Sequence, residues 1–392
     1  ALKSKIKDNF IMQQKYNLTT IMFSAIVIIS TLYITQPIQP LLINEFQIST
    51  TQVTLFTSVI LFALAIAPIF YGYLLEKFDT KLILIASLML LGVFQCLLSF
   101  TQQYSTFLIL RICEALMIPA ALTATMTSLT RIDSKNKYIG LYVASTVFGG
   151  VLSRVGGGFL TTLFSWRFTF IALGISTLLI AFLAFKLPHT NTKIQSSKIT
   201  FAIILDFLKD KRFLLLYSGA FLILFCFQGI LNFMPHYITS LNPQITPAQI
   251  GFMYFGYIVG IITAILSKKI TRFFKGEIKT IALGFFIFGA SCWMMLFGDF
   301  WQLFFVIFTL CFGMFIINSV LSSFINTISK NKKGITNGLY LAFYYAGGTL
   351  GTTLPTYIYH PFGWNTLCLL LGGILFVSAL VFYQSQKLFW QG

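Results

Sequence analysis

The sequence predicts an all-α membrane protein, and three of its properties carry that prediction. First, 57% of its 392 residues are hydrophobic and 9% are charged, with a mean hydropathy of +0.84, whereas soluble domains average roughly 25% charged residues. Second, apolar runs of about 20 residues, the length of a helix that crosses a bilayer, recur along the chain. Third, the two halves of the chain match each other at a fixed offset. We therefore expect twelve transmembrane helices in two parallel six-helix repeats.

The twelve apolar runs, called spans 1 to 12, follow one another with mostly short connections. Their centres are Ile29, Phe62, Leu90, Met117, Val151, Thr177, Leu224, Ile258, Phe288, Gly313, Gly347 and Ile374. One long polar stretch predicts a division into an N-terminal bundle (1–187), a cytoplasmic linker (188–212) and a C-terminal bundle (213–392). Within the linker, the pattern of Ile199–Leu208 predicts an amphipathic helix on the membrane surface.

The basic residues predict the orientation of the chain. The formal net charge is +17, and all but three of the 27 lysines and arginines fall in tails and loops separated by even numbers of spans. Cytoplasmic loops carry the excess of Lys and Arg in membrane proteins, so both termini are expected in the cytoplasm, with the chain in the inner or plasma membrane. Basic residues placed in this way face anionic lipid. We therefore expect the lipid bilayer, and no nucleic acid, as their partner.

Three charged residues lie inside predicted spans: Arg111 and Glu114 in span 4, and Arg154 in span 5. A charge at membrane depth costs at least ~2.5–3.5 kcal/mol and commonly marks a transport pathway. Arg111 and Glu114 are three residues apart and share one helix face, so a structural ion pair is the alternative for them. Arg154 lies about nine residues, or ~13 Å, from the outer end of its span. We expect its guanidinium either to contact Glu114 or to face a central cavity.

The repeat has an offset of 198 residues and is densest in spans 5 and 11. Gly140, Leu141, Tyr142, Ala144, Gly149, Gly150 and Leu152 recur as Gly338, Leu339, Tyr340, Ala342, Gly347, Gly348 and Leu350, and Pro37 recurs as Pro235. Glycine pairs let helices approach closely, which places spans 5 and 11 near the interface between the halves. The charges break this symmetry, because the positions opposite Arg111, Glu114 and Arg154 hold Thr309, Phe312 and Thr352. The ionisable chemistry therefore belongs to the first half.

The chain resembles the major facilitator superfamily, and within it the twelve-helix drug:proton antiporters. The loop between spans 2 and 3, GYLLEKFDTK from Gly72, is similar to the family's G-x-L-x-D-R-x-G-R-K motif, with Gly72, Leu74, Glu76, Lys77 and Lys81 matching in kind. This resemblance implies that Gly72, Glu76, Lys77 and Lys81 belong to a loop that gates the inner side.

Spans 4 and 5 carry two further family motifs. Arg111 matches the arginine of R-x-x-Q-G, a residue that the family associates with proton coupling, and Glu114 replaces the glutamine. Gly149, Gly157 and Gly158 match the antiporter motif G-x-x-x-G-P-x-x-G-G, while Ser153 and Arg154 replace its Gly-Pro centre.

Two transport hypotheses follow. The first is proton-coupled efflux of a small organic solute or drug by alternating access, with Glu114 as the proton carrier tuned by Arg111 and Arg154. The second is uptake or exchange of an organic anion or zwitterion bound through Arg111 and Arg154, because two arginines and one glutamate sum to +1. In both, the expected partners are a small-molecule substrate and protons, and the protein is expected to act as a monomer. Polar and aromatic residues expected in the cavity are Gln36, Gln228, Asn232, Asn318, Tyr344 and Tyr345.

The sequence gives little support to an enzyme. Its three histidines, His189, His236 and His360, stand apart from acids and nucleophiles in the sequence, and neither H-E-x-x-H nor G-x-S-x-G occurs. The six cysteines all lie in apolar runs without metal-ligand spacing. We therefore expect no catalytic residues, no metal and no cofactor.

Overall fold

In a computed structural model of the chain, residues 2–132, 138–188, 201–329 and 333–389 are described, with 2–11, 68–77, 201–203 and 333 described by their backbone alone. Every regular element of these ranges is helical. The long helices are α1 (Leu2–Tyr33), α3 (Thr50–Lys77), α4 (Thr80–Leu98), α5 (Tyr104–Ile132), α6 (Ile139–Leu163), α7 (Trp166–Ala184), α9 (Lys211–Leu241), α11 (Ile258–Phe273), α12 (Glu277–Met294), α13 (Phe300–Ile328), α14 (Lys333–Thr353) and α15 (Thr356–Gln384). The short ones are α2 (Gln39–Phe46), α8 (Phe201–Lys209), α10 (Pro247–Met253) and α16 (Gln386–Phe389).

The all-α membrane fold predicted from the sequence is confirmed. Within the described ranges, 11 helical segments are long and apolar enough to cross a membrane. Helix α14 takes the place of predicted span 11, and it packs between α3 and α9. Most other contacts stay within α1–α7 or within α9–α15, and the two groups, here called the first and second halves, meet chiefly along α3 with α14 and along α6 with α10. The assignment of the termini to the cytoplasm stays a prediction.

The glycines of the repeat serve the same purpose in both halves. A Cβ atom added to Gly149 on α6 would lie 2.5 Å from the carbonyl oxygen of Ile26 on α1, and one added to Gly347 on α14 would lie 2.0 Å from that of Phe221 on α9. Any side chain at either position would force the backbones apart. Gly149 and Gly347 therefore bring α6 against α1 and α14 against α9, each within its own half and not across the interface between the halves as expected.

Two spans are broken near the site described below. Span 1 stops at Tyr33, passes through a 3₁₀ turn at Gln36–Ile38 and continues as α2, whereas the repeat mate of Pro37, Pro235, lies inside the continuous helix α9. Span 8 is divided by a 3₁₀ segment, Tyr254–Tyr257, between α10 and α11. Such stretches within a span often mark functional hinges. The turn at Gln36–Ile38 packs against α10, so the two breaks are neighbours.

Two predicted regions are only partly described. Helix α8 begins at Phe201, and the preceding part of the predicted amphipathic helix, from Ile199, lies outside the described residues. Gly72, Glu76 and Lys77, of which only the backbone is described, lie in the last turns of α3 and not in a loop as expected. Their gating role stays a prediction. After the end of α3, Asp79 caps α4 by accepting a hydrogen bond from the backbone N–H of Lys81.

Candidate functional site: a cavity between the two halves

A cavity of about 540 Å³ lies between α1, α6, α9, α11, α13 and α14. At one end its wall includes Gly140, at the start of α6, and Lys268, near the end of α11. At the other end it includes Arg154, which is ~22 Å along α6 from Ile139 at 1.5 Å per residue. The cavity thus runs through half or more of the membrane from the side where α6 begins, which is the side predicted to be cytoplasmic.

Beyond Arg154 the halves are joined by hydrogen bonds. Gln36 donates to Gln228 at 2.9 Å, Gln39 donates to Asn232 at 2.7 Å, and the hydroxyls of Thr51 and Thr356 are 3.1 Å apart. This set, called the outer closure, seals the end of the cavity opposite its opening.

The backbones of α6 and α10 also meet at this end of the cavity, and their contact at Gly158 and Gly251 is called the seam. A Cβ atom on Gly158 would lie 2.2 Å from the carbonyl oxygen of Pro247, and one on Gly251 would lie 2.3 Å from that of Arg154. The fit between the two helices at this seam therefore depends on glycine on both sides.

The six expected cavity residues divide into two groups. Asn318, Tyr344 and Tyr345 line the cavity. Gln36, Gln228 and Asn232 do not, since they are fully buried in the outer closure, so our placement of them in the wall was wrong. Their polarity and depth are visible in the sequence, but the break after Tyr33, which turns Gln36 toward the second half, is not.

Sequence reasoning missed much of the actual wall. Aromatic rings of both halves line it, as does a polar stripe on one face of α13, where residues three or four apart share a face. The missed residues are Tyr33, Phe227, Tyr257, Phe315, Ser319, Ser322, Ser323 and Tyr340. The spacing of the serines was the available signal.

Arg111 and Glu114 form a fully buried ion pair, with Nη1 of Arg111 2.7 Å from Oε2 of Glu114. Arg111 also donates to three backbone carbonyls: from Nε to Phe56 at 3.0 Å, from Nη1 to Thr31 at 2.9 Å and from Nη2 to Leu32 at 3.0 Å. The carbonyls of Thr31 and Leu32 are in the last turn of α1, where a helix leaves acceptors without intrahelical partners and carries partial negative charge. Arg111 therefore caps the broken end of span 1. Neither member of the pair lines the cavity.

Arg154 has no carboxylate partner among the described residues. Its Nε donates to Oε1 of Gln36 at 2.7 Å and its Nη1 to the carbonyl of Gly150 at 2.8 Å, while Nη2 has no hydrogen-bond partner in the described ranges. Of the two expectations for Arg154, a contact with Glu114 is not found, and the residue borders the cavity instead.

Tyrosine rings enclose this guanidinium. Its central carbon lies 3.9 Å from the ring centre of Tyr33, 4.5 Å from that of Tyr257 and 5.3 Å from that of Tyr254. These are cation–π distances, and the side chain of Arg154 is 0% exposed. The site is therefore a cation held behind aromatic rings at the closed end of the cavity.

A second concavity, of about 630 Å³, lies between α6, α10 and α13, outside the central cavity. Its walls are mainly apolar and aromatic, and none of its lining residues is charged; they include Phe148, Leu152, Phe159, Phe252 and Trp301. The central cavity is the better candidate site because it alone of the two is bordered by a buried charge.

Comparisons with known proteins agree on the family of the chain. The sequence matches the Major Facilitator Superfamily over residues 21–351 and 242–387. It is 26% identical over 378 residues to an inner membrane transport protein, YnfM, of Escherichia coli, covering 94% of this chain and 90% of that protein. It is 25% identical over 251 residues to a cis,cis-muconate transport protein of Acinetobacter baylyi, covering 59% of each chain.

Among solved structures, a point mutant of the nucleoside transporter NupG superposes with a TM-score of 0.78 at 13% identity, covering 95% of this chain and all of that one. At this identity the likeness concerns the fold.

Proposed function

The chain belongs to the major facilitator superfamily, and from this premise we propose that it carries a small organic anion or zwitterion through the membrane by alternating access, in uptake or exchange, with Arg154 as the residue that binds the anionic group. As a member of that family it is a multi-pass inner membrane transporter and not an enzyme. The substrate, the direction and the coupling ion are the parts that we propose.

The observation that carries the proposal is the unpaired guanidinium of Arg154 beside the cavity. A buried charge is costly unless it is paired, and the rings and Gln36 offset only part of that cost. A guanidinium presents a planar fork of donors that fits carboxylate or phosphate. Because Nη2 of Arg154 has no partner among the described residues, it is the donor that an incoming anion would engage.

Arg111 does not share this role in our proposal, although the sequence alone predicts it for both arginines. Its donors are occupied by Glu114 and by three carbonyls, and its charge is balanced by Glu114 at 2.7 Å. Of the three charged residues inside the spans of the first half, Arg154 is therefore the one whose charge is not balanced.

Proton coupling through Glu114 remains part of the proposal. Glu114 holds Arg111, and Arg111 holds the broken end of span 1 next to the outer closure. Protonation of Glu114 would weaken the ion pair and so loosen this end of span 1, which gives the proton a mechanical link to the closure. Oε1 of Glu114 has no partner in the described part of the chain and is the oxygen that would take the proton.

One of the relatives favours an anion, whereas another is named for multidrug resistance. The Acinetobacter relative is named for cis,cis-muconate, which is a dicarboxylate, whereas the structural neighbour is named for nucleosides. Muconate is therefore a reasonable first probe for this chain.

Proton-driven efflux of a drug is the second candidate. The aromatic part of the cavity wall favours it, because apolar drugs bind such surfaces without any need for Arg154. This part consists of Phe227, Phe315, Tyr344 and Tyr345.

The test is solute flux in proteoliposomes under an imposed pH gradient. The probes are cis,cis-muconate, benzoate, the neutral methyl ester of benzoate, and tetraphenylphosphonium as a cation. We expect flux of one or both anions, and its loss in Arg154→Gln but not in Arg167→Gln, because Arg167 is paired with Glu45 at the surface. Flux of the ester or the cation alone, unaffected by Arg154→Gln, would support the efflux candidate and contradict our proposal.

A further inference from the structure

We infer that the rings of Tyr254 and Tyr257 compete with the substrate anion for Arg154, so that the transporter binds its anion weakly while the outer closure is formed and tightly once it opens. This inference rests on the proposed function, because it concerns the same guanidinium and an anionic substrate.

The contacts of Arg154 come from both halves of the molecule. Tyr33 and Gln36 belong to the first half, like Arg154 itself, and move with it. Tyr254 and Tyr257 lie in the 3₁₀ segment between α10 and α11, in the second half. The second pair can therefore leave the guanidinium when the halves separate, whereas the first pair stays.

Both rings are fixed to the second half. The hydroxyl of Tyr254 donates to the carbonyl of Leu231 on α9 at 2.8 Å. The ring of Tyr257 packs against those of Phe227, at 5.3 Å between ring centres, and Phe315, at 5.9 Å. A movement of the second half would carry the two tyrosines with it rather than leave them on Arg154.

The seam that holds them in place is the glycine contact between α6 and α10. The carbonyl oxygen of Arg154 itself lies where a side chain at Gly251 would begin, so the backbone of Arg154 and the segment that precedes the tyrosines are in direct contact. Opening of the outer side requires this seam to part, and the rings of Tyr254 and Tyr257 must then withdraw from the guanidinium.

The consequence is a difference in affinity between the two conformations. With the seam closed, the guanidinium is 0% exposed, so an anion reaches Nη2 only if the rings packed around it yield. With the seam open, the same guanidinium loses two of its three rings. The free energy of binding an anion is then most favourable. A ligand shifts a conformational equilibrium only through such a difference in affinity. The rings would thus favour release of the anion into the cavity that is open in this structure.

The experiment measures binding while the outer side is held closed. Thr51 and Thr356 are replaced by cysteines and oxidised, since their hydroxyls are 3.1 Å apart across the closure. In this background cis,cis-muconate and benzoate are titrated by calorimetry against Tyr257→Leu, Tyr257→Phe and Tyr345→Leu. Tyr345 is the matched control because it lines the same cavity and its ring is not among the three on the guanidinium.

We expect Tyr257→Leu to bind the anion about three- to tenfold more tightly. The ring that competes with the anion for Arg154 is then missing, and one cation–π contact corresponds to about that change in affinity. Tyr257→Phe should bind like the parent because the ring is kept, and Tyr345→Leu should bind no more tightly than the parent. In the uncrosslinked protein, Tyr257→Leu should also lower the maximal rate, because release becomes slower.

Unchanged or weaker binding in Tyr257→Leu would overturn the inference while leaving the proposed function intact. Arg154→Gln is titrated in the same way, with and without the crosslink. If neither probe shows binding that is lost in Arg154→Gln, in the uncrosslinked as well as the crosslinked protein, both the inference and the proposed function are overturned. Tyr254→Leu supplies a second variant with the same expected direction, and thermal unfolding of each variant identifies those that fold. If neither tyrosine variant gives tighter binding in folded protein, the rings do not compete.

Discussion

Nε of Arg154 on α6 donates a 2.7 Å hydrogen bond to Oε1 of Gln36, and the amide nitrogen of Gln36 donates in turn to Gln228 in the second half at 2.9 Å. One glutamine side chain therefore joins the proposed anion-binding residue to the outer closure. An anion that draws the guanidinium toward the cavity would strain a bond that helps to hold the halves together.

The position of Gln36 offers a direct test of the charge of Arg154. In Gln36→Glu a carboxylate would stand where the amide oxygen now lies, 2.7 Å from the guanidinium, and pair with it, which leaves no free cation for a substrate. We expect at least a tenfold loss of anion transport, measured as kcat/KM in proteoliposomes. Gln36→Leu, which removes the hydrogen bonds but leaves the charge free, should lose clearly less. Equal losses in the two variants would mean that the bond to Gln228 matters and the charge does not.

Arg111 and Glu114 should differ in their effects on stability. Arg111→Leu leaves the buried carbonyls of Thr31 and Leu32, at the end of α1, without their donor, at about 1–3 kcal/mol each. It also leaves a buried carboxylate unpaired. We expect a marked fall in Tm in detergent. Glu114→Gln keeps an acceptor for Arg111 and should lower Tm much less, while abolishing the dependence of flux on the pH gradient and still permitting exchange. Retention of pH-driven flux by Glu114→Gln would leave the ion pair with a structural role alone.

Glycine at the seam should set how readily the outer side closes. In Gly158→Ala the new methyl group would lie 2.2 Å from the carbonyl oxygen of Pro247, so the closed seam cannot form without a backbone shift. We expect faster labelling of a cysteine placed at Ala248, on the α10 side of the seam, by a membrane-impermeant thiol reagent. Gly156→Ala is the control, because its methyl group would meet only a leucine side chain at 3.4 Å. Equal labelling rates in the two variants would contradict this role of the seam.

The pair Thr51→Cys and Thr356→Cys should lock the transporter when oxidised. A disulfide across the outer closure prevents the halves from separating there, so we expect flux to stop and to return on reduction. Each single-cysteine variant, treated with the same oxidant, controls for the native cysteines. Continued flux through quantitatively crosslinked protein would exclude opening at this point.

Much of the fold could be predicted from the sequence because its causes are local or periodic. Apolar runs define membrane helices by length alone, and the glycines at an offset of 198 residues mark where α6 and α14 meet their neighbours. The break in span 1 could not be predicted in this way. Pro37 and Pro235 are repeat mates, yet only the first helix breaks, because a break needs a donor for the freed carbonyls. Arg111 supplies it in the first half. Its counterpart, Thr309, donates instead to the carbonyl of Val306 within α13 and accepts from Ser291 on α12.

The charged residue of the site could be predicted from the sequence, but the residues that contact it could not. The depth of Arg154 follows from its place in span 5, and its position at the cavity agrees with one of two expectations. The partners come from Tyr33 and Gln36, more than 100 residues earlier, and from Tyr254 and Tyr257, about 100 residues later. Only the packing of α1, α6 and the broken span 8 brings them together. Tyrosine is also common at membrane interfaces, so its presence alone gave no signal of a cation–π site.

The central claim is that the positive charge of Arg154 recognises an anionic substrate, and one binding measurement tests it most directly. The dissociation constants of cis,cis-muconate and of its neutral dimethyl ester are compared for the parent protein, Arg154→Lys and Arg154→Gln. We expect the parent to prefer the dianion, Arg154→Lys to keep part of that preference because its charge remains without the fork, and Arg154→Gln to lose at least tenfold in affinity for the dianion with little change for the ester. Equal affinity of the parent and Arg154→Gln for the dianion would contradict the account.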